Sequence, residues 1–169
     1  MRLDAKKSRE LLATIYAIRS LDKTIAKMNR QETKRIAAPE WKRALAERAD
    51  TRLEHRVLVD TSVVSVSNQN VRVQSASKGR PLTGGLAPKA DYPAIEFGAD
   101  RSRKTTYQRR GPSGRPHKVT RHTARGMKPR NGSGYVFFPA AREMIPRLAS
   151  LWVQTTVRTI ANALEGKQE

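Results

Sequence analysis

The sequence predicts an α+β fold: an N-terminal helix pair and a C-terminal helix packed on a small antiparallel sheet, with a long basic loop or arm. Three patterns predict it: an apolar stripe at helical spacing near the N-terminus, a valine-rich alternation in the middle, and a second helical stripe near the C-terminus. With 169 residues the chain reads as a single domain, 1–169, long enough to bury a core. Residues 99–134 fit none of the three patterns and read as the arm, inserted before the last helix.

In the first stripe Leu11, Ile15, Ile18, Leu21, Ile25 and Met28 recur three or four residues apart, which places them on one helix face. Ala37-Ala38-Pro39 interrupts it. Proline disfavours a helical residue before it and is tolerated in the first turn after it. A second helix is therefore expected from about Pro39, with Trp41, Leu45, Ala49 and Leu53 on one face, giving two consecutive helices or one kinked helix.

From Val57 the chain turns β-branched. Residues 64–66 and 71–73 alternate with polar side chains across Ser67-Asn68-Gln69-Asn70, a hairpin with a four-residue turn. Lys78 to Gly85 reads as a loop, and Tyr92 to Phe97 as one more short strand closed by Gly98. Beyond the arm, Pro139 suits the first turn of a last helix. There Met144, Leu148, Leu151, Trp152, Thr155 and Ile160 share a face, and Gly166 lies past the end. Pro146 is expected to kink this helix or delay its start. Trp41 and Trp152 read as packing between the first and last helices.

The net charge is +19, with 34 basic and 15 acidic side chains, and it is unevenly placed. Residues 1–56 carry a net +7, while 57–98 and 135–169 carry +1 each. Residues 99–134 carry eleven basic side chains against the single Asp100, so about half of the surplus lies there. That stretch holds five glycines and three prolines, and no aliphatic side chain larger than alanine except Val119 and Met127. It cannot bury enough surface to offset its ordering entropy, so on its own it is expected to be a mobile loop or arm.

The absence of cysteine excludes a disulfide scaffold, a thiol nucleophile and a cysteine zinc site. No apolar run approaches the ~18 residues of a membrane span, and the charged start Met1 to Glu10 lacks the apolar core of a leader. The chain thus reads as soluble, made inside the cell and without membrane contact.

Catalytic chemistry finds little support. His117 and His122 sit in the basic arm without an acidic ligand nearby, and His55 is remote in sequence. Asp60, Asp91 and Glu96 lie on separate segments with no recognisable spacing for a two-metal nuclease. Gly84-Gly85 follows no nucleotide-binding signature, and Ser62 and Ser65 have no histidine at a meaningful spacing. The expectation is no enzyme, no cofactor and no metal.

The arm is the candidate contact surface. Its cations are Arg101, Arg103, Lys104, Arg109, Arg110, Arg115, Lys118, Arg121, Arg125, Lys128 and Arg130. Arginine bonds phosphate through two N–H groups at once, and each neutralised phosphate releases counterions. Tyr107 is the only Phe, Tyr or Trp between Ala99 and Gly134, a poor supply for stacking single-stranded bases. No sequence-reading motif is present. Nonspecific contact with a nucleic-acid backbone, docking on an acidic protein and a solvated basic loop that orders only in an assembly all remain open.

Taken together, the basic N-terminal helix pair, the valine hairpin, Tyr92-Pro93-Ala94-Ile95-Glu96-Phe97-Gly98 and the junction FFPAAREMIPRLASLW (Phe137 to Trp152) resemble a phage family. These are the tail-completion or head–tail joining proteins of long-tailed phages, and the resemblance runs from about Leu11 to Leu164. In that family the two motifs are usually joined by a short loop, whereas here the basic arm separates them. The resemblance implies a structural subunit of the virion, made in the host cytoplasm. It would form a homo-oligomeric ring, typically of six copies, at the head–tail junction between portal-side neck proteins and the tail tube, around the DNA channel. Tail-completion, terminator and stopper roles are equally compatible with it. Tyr92, Ile95 and Phe97 are then candidates for a subunit interface, with plain core packing the competing reading for Ile95 and Phe97. Glu96 is a candidate for pairing with a neighbour's arginine, or else a surface carboxylate. The rival expectation is a nonspecific nucleic-acid-binding protein of ribosomal or nucleoid type that uses the arm.

Overall fold

The computed structural model describes residues 9–20, 23–122 and 124–165. Helix α1 (Arg9–Ser20) is followed by α2 (Lys23–Ala46). A short α3 (Arg52–Glu54) runs into a π-helical turn (His55–Val59), then come β1 (Val63–Val66), β2 (Val71–Gln74) and α4 (Pro88–Glu96). The basic stretch contains β3 (Thr105–Arg110) and β4 (Pro116–Arg121), and α5 (Phe137–Leu164) closes the order. The fold is α+β, with two separate two-stranded antiparallel sheets.

Three expectations are corrected or narrowed. Of the two alternatives at Pro39, a boundary between helices or one helix through it, the boundary is ruled out, because α2 continues through Pro39 to Ala46. Ala37 and Trp41, on either side of that proline, are both fully buried, and this packing outweighs the lost backbone bond. Leu53 lies beyond the helix and is partly exposed, while Leu21 and Gly166 fall outside the described residues. The segment 92–97 is helical rather than a strand: Pro88 starts α4, and Asp91 accepts the Ala87 N–H at 2.7 Å. Val57 and Val59 belong to the π-turn, where Val57, Leu58 and Val59 are all buried.

The valine hairpin forms as expected, with Val66 opposite Val71 and Val64 opposite Val73. Period-two alternation turns Val64, Val71 and Val73 inward and leaves Val63, Ser65 and Gln74 exposed. The inner face packs on α2, and Trp41 Nε1 donates to the Gln74 carbonyl at 3.1 Å. Arg30 on α2 also bonds Asn68 in the hairpin turn.

The core is built mainly between α2 and α5, with α1 laid against α5. Trp41 and Trp152 are both fully buried, as expected. Across this interface Asn29 Nδ2 donates to Thr156 Oγ1 at 3.1 Å, and Arg48 pairs with Glu143. Helix α5 runs through Pro146, which is exposed, without ending.

Candidate functional site

The two motifs that the arm separates in sequence meet in space. Glu96, the last residue of α4, is fully buried, and its carboxylate lies at the start of α5. It accepts the backbone N–H of Phe137 at 2.9 Å, of Phe138 at 3.1 Å and of Val136 at 3.3 Å. Those groups open the helix and have no partner within it, so the carboxylate does from a distance what a capping side chain does locally. The helix dipole favours the negative charge at that end. Backbone bonds extend the contact: Tyr135 N–H to the Glu96 carbonyl at 2.9 Å, and Asn131 N–H to the Phe97 carbonyl at 2.8 Å. Ala99 N–H adds a bond to the Lys128 carbonyl at 3.0 Å.

Two glycines permit this approach. Gly98 and Gly134 have φ of +69° and +77°, in the left-handed region that L side chains rarely adopt. A Cβ at Gly98 would land on the Pro129 carbonyl, and one at Gly134 on the Glu96 carboxylate. Aromatic rings continue the junction into the core. Phe97 packs on Phe138 at 5.3 Å between centroids, Phe138 on Phe137 at 5.2 Å, and Phe137 edge-on to Trp41 at 5.5 Å.

This geometry corrects the expected interface. Ile95 and Glu96 are buried within their own chain, so neither is free for a neighbour, and Glu96 is already saturated by backbone donors. Phe97 is half-buried against Phe138, and Tyr92 alone of the four stays on the surface.

The basic stretch divides in two. Its return segment, from Lys128 to Gly134, belongs to the junction. Lys128 Nζ bonds Glu54 at 2.7 Å and Asp50 at 2.8 Å, and lies 4.9 Å from the centre of the Tyr135 ring. Burial alone would lower the Lys128 pKa, but the hydrogen bonds to Asp50 and Glu54 outweigh it and hold it above the ordinary lysine value. The same bond holds Asp50 below the ordinary aspartate value. Lys128 is therefore a staple between the base of the arm and the α2–α3 corner, not a free contact as the sequence suggested. Glu54 is itself buried and completes a capping box with Thr51.

Within the stretch expected to be a mobile loop or arm, β3 and β4 form a two-stranded ribbon. Six cross-strand pairs, from Thr105 opposite Arg121 to Arg110 opposite Pro116, supply the backbone bonds that the composition could not supply by burial. Thr106 and Thr120 hydroxyls bond across it at 3.0 Å. The turn closes through Gly111 N–H to the Arg115 carbonyl at 3.0 Å. Every ribbon residue is exposed except Val119, which is half-buried.

Exposure separates the cations by role. Arg101, Arg103, Lys104, Arg109, Arg110, Arg115, Lys118, Arg121, Arg125 and Arg130 are all exposed. Asp100 is occupied by Ser102, whose hydroxyl and N–H hold its pKa down, with Arg130 and Arg103 adding a smaller effect. Elsewhere Glu32, Glu40, Glu47 and Glu143 pair with arginines of the helices. Among the described residues no carboxylate pairs with Arg109, Arg110, Arg115, Lys118 or Arg121.

Among the described residues no three His, Asp or Glu side chains converge as metal ligands. Asp91 and Glu96, two of the carboxylates weighed as a nuclease set, each serve a helix start, while Asp60 is exposed. His117 and His122 are exposed on and beside β4. No known protein family, no curated protein and no solved structure matches the chain.

The junction itself was the feature that sequence reasoning missed. Its signal was present: a lone glutamate followed two residues later by glycine, and a second glycine three residues before an aromatic-proline helix start.

Proposed function

We propose that the protein is a non-enzymatic structural subunit of a phage neck, one copy in a ring joining the head connector to the tail tube around the DNA channel. The observation that carries this reading is the seating of Glu96 on the N–H groups of residues 136–138. It fuses the two motifs of the resemblance into one unit, with the ribbon excluded from it. A fold in which those motifs are joined by a short loop accepts an insertion at this point without disturbing the core. Rings by head-to-tail contact need no self-complementary patch, and exposed Tyr92 is the remaining candidate from the motif for such a contact.

Light scattering and negative-stain electron microscopy of the purified protein, alone and with its neighbouring gene products, test the reading. Closed rings, and incorporation into particles at the head–tail junction, are expected. A persistent monomer that never enters particles overturns it. The same monomer binding nucleic acid tightly would favour the rival, a nucleoid- or ribosome-type binder, which the unpaired cations of the ribbon support.

A further inference from the structure

We propose that the β3–β4 ribbon seats in the major groove of duplex DNA and grips the phosphates on both walls of the groove. This names the partner of the arm. It rests on the neck reading only for where the duplex is met, the binding itself being a property of the chain.

Charge placement points to a groove. Residues directly opposite in an antiparallel pair share a face, and faces alternate along each strand. One face carries Tyr107 with Val119 and Arg109 with His117, and ends at Arg121. The other carries Thr106 with Thr120, Gln108 with Lys118, and Arg110. Cations therefore stand on both faces, two on each, with Arg115 at the turn. An acidic protein surface meets one face of a ribbon and leaves the other idle. Two phosphate rows flanking a groove meet both. The major groove, ~12 Å wide, admits a two-stranded ribbon in an undistorted duplex. The minor groove, ~6 Å wide, takes strands where the duplex is bent or widened, typically with large apolar wedges, and β3 and β4 hold no Phe, Leu, Ile or Met.

Duplex is favoured over single strand because a single strand is held by stacking its bases on aromatic rings, and the ribbon offers only Tyr107. The contact is with backbone rather than base sequence, since each arginine or lysine reaching a wall meets phosphate first. Among the described residues no carboxylate pairs with these side chains. Glu32, Glu40, Glu47 and Glu143 pair with other arginines, Asp91 and Glu96 serve helix starts, and Asp50 and Glu54 hold Lys128.

Fluorescence anisotropy of the full chain with a labelled mixed-sequence duplex of about 25 base pairs, titrated at several salt concentrations, tests the proposal. With all five ribbon cations engaged, log K falls against log salt with a slope of about −4.5, roughly 500-fold between about 50 and 200 mM. Two paired variants address the faces, Arg109→Gln with Arg121→Gln, and Arg110→Gln with Lys118→Gln. Each is expected to flatten the slope by about 2 and to weaken binding about 30-fold near 0.15 M salt. All four side chains are exposed, so melting curves should match the parent. Loss confined to one pair means a flat contact and overturns the groove. Unchanged binding in both pairs overturns the ribbon as the site. A single strand binding as tightly as the duplex, or polyglutamate displacing the duplex at equal charge, overturns the choice of partner. Rings without duplex binding refute this inference while leaving the neck reading intact, and a duplex-binding monomer does the reverse.

Discussion

At the junction a carboxylate is fully buried and saturated by backbone donors, whereas about ten residues further on the ribbon buries almost nothing and leaves its cations unpaired. Both regions lie within one stretch of chain, yet charge has opposite roles in them. In the junction, charge is an internal structural element whose removal leaves helix N–H groups without acceptors. In the ribbon, charge faces outward and the backbone ladder, helped by the Thr106–Thr120 hydroxyl bond, holds the shape. Net charge therefore says little about this protein until each charged group is assigned to one role or the other.

The largest effects are expected at the junction. Glu96→Ala strips acceptors from the N–H groups of residues 136–138 and should destabilise the protein by about 3 kcal/mol or more, at about 1–3 kcal/mol per orphaned buried group. Glu96→Gln keeps one acceptor oxygen and should recover part of that loss. Gly98→Ala and Gly134→Ala should also destabilise strongly, since each combines a left-handed φ with a Cβ placed on a backbone carbonyl or on the Glu96 carboxylate. Urea denaturation midpoints at constant m rank these variants. A Glu96→Ala midpoint equal to the parent's would show that the cap contributes nothing.

The contrast also explains what could be read from the sequence. Periodicity is local, so the valine hairpin, the buried tryptophans and the last helix were legible from spacing alone. Proline is a local signal too, but at Pro39 a non-local one overrode it. Burial of Ala37 and Trp41 against distant elements keeps α2 continuous. The two halves of the junction left local traces at Gly98 and Gly134, but their meeting did not: Glu96 finds its donors some forty residues away, and sequence spacing carries no record of that distance. Lys128 looked like its ten basic companions in the arm, and only the approach of Asp50 and Glu54 distinguishes it.

A smaller effect is expected at that staple, where the two regions join. Lys128→Met removes the charge-assisted bond to buried Glu54 and should cost about 1.5–3 kcal/mol. Its pH dependence has a definite sign. The Lys128 pKa is raised by folding, so its stabilisation is full below the ordinary lysine value of about 10.4 and is lost as pH rises through the raised value. The Asp50 pKa is lowered, so its share is full above about 3.9 and is lost as pH falls through the lowered value. The stability gap between the parent and Lys128→Met should therefore be flat near neutrality and shrink at both extremes. Denaturation midpoints measured across the pH range check it. A gap that persists undiminished at high pH would mean that the methylene stem, not the charge, supplies the contact.

The smallest effect on stability belongs to the ribbon, and there a null result is informative. Thr105 and Arg121 face each other across the ladder, so their backbones are close enough to be joined by a short glycine link replacing residues 106–120. Nothing in the core is lost, because those residues are exposed apart from half-buried Gly111 and Val119. The melting temperature should stay within a few degrees of the parent, the scale set by less than about 0.5 kcal/mol in a chain of this size. A drop comparable to that of Glu96→Ala would show that the ribbon helps to hold the junction, and the two regions would then be one structural unit. An unchanged melting curve with loss of salt-sensitive duplex binding would separate them: a body closed by Glu96, and an appendage whose shape exists to carry charge outward.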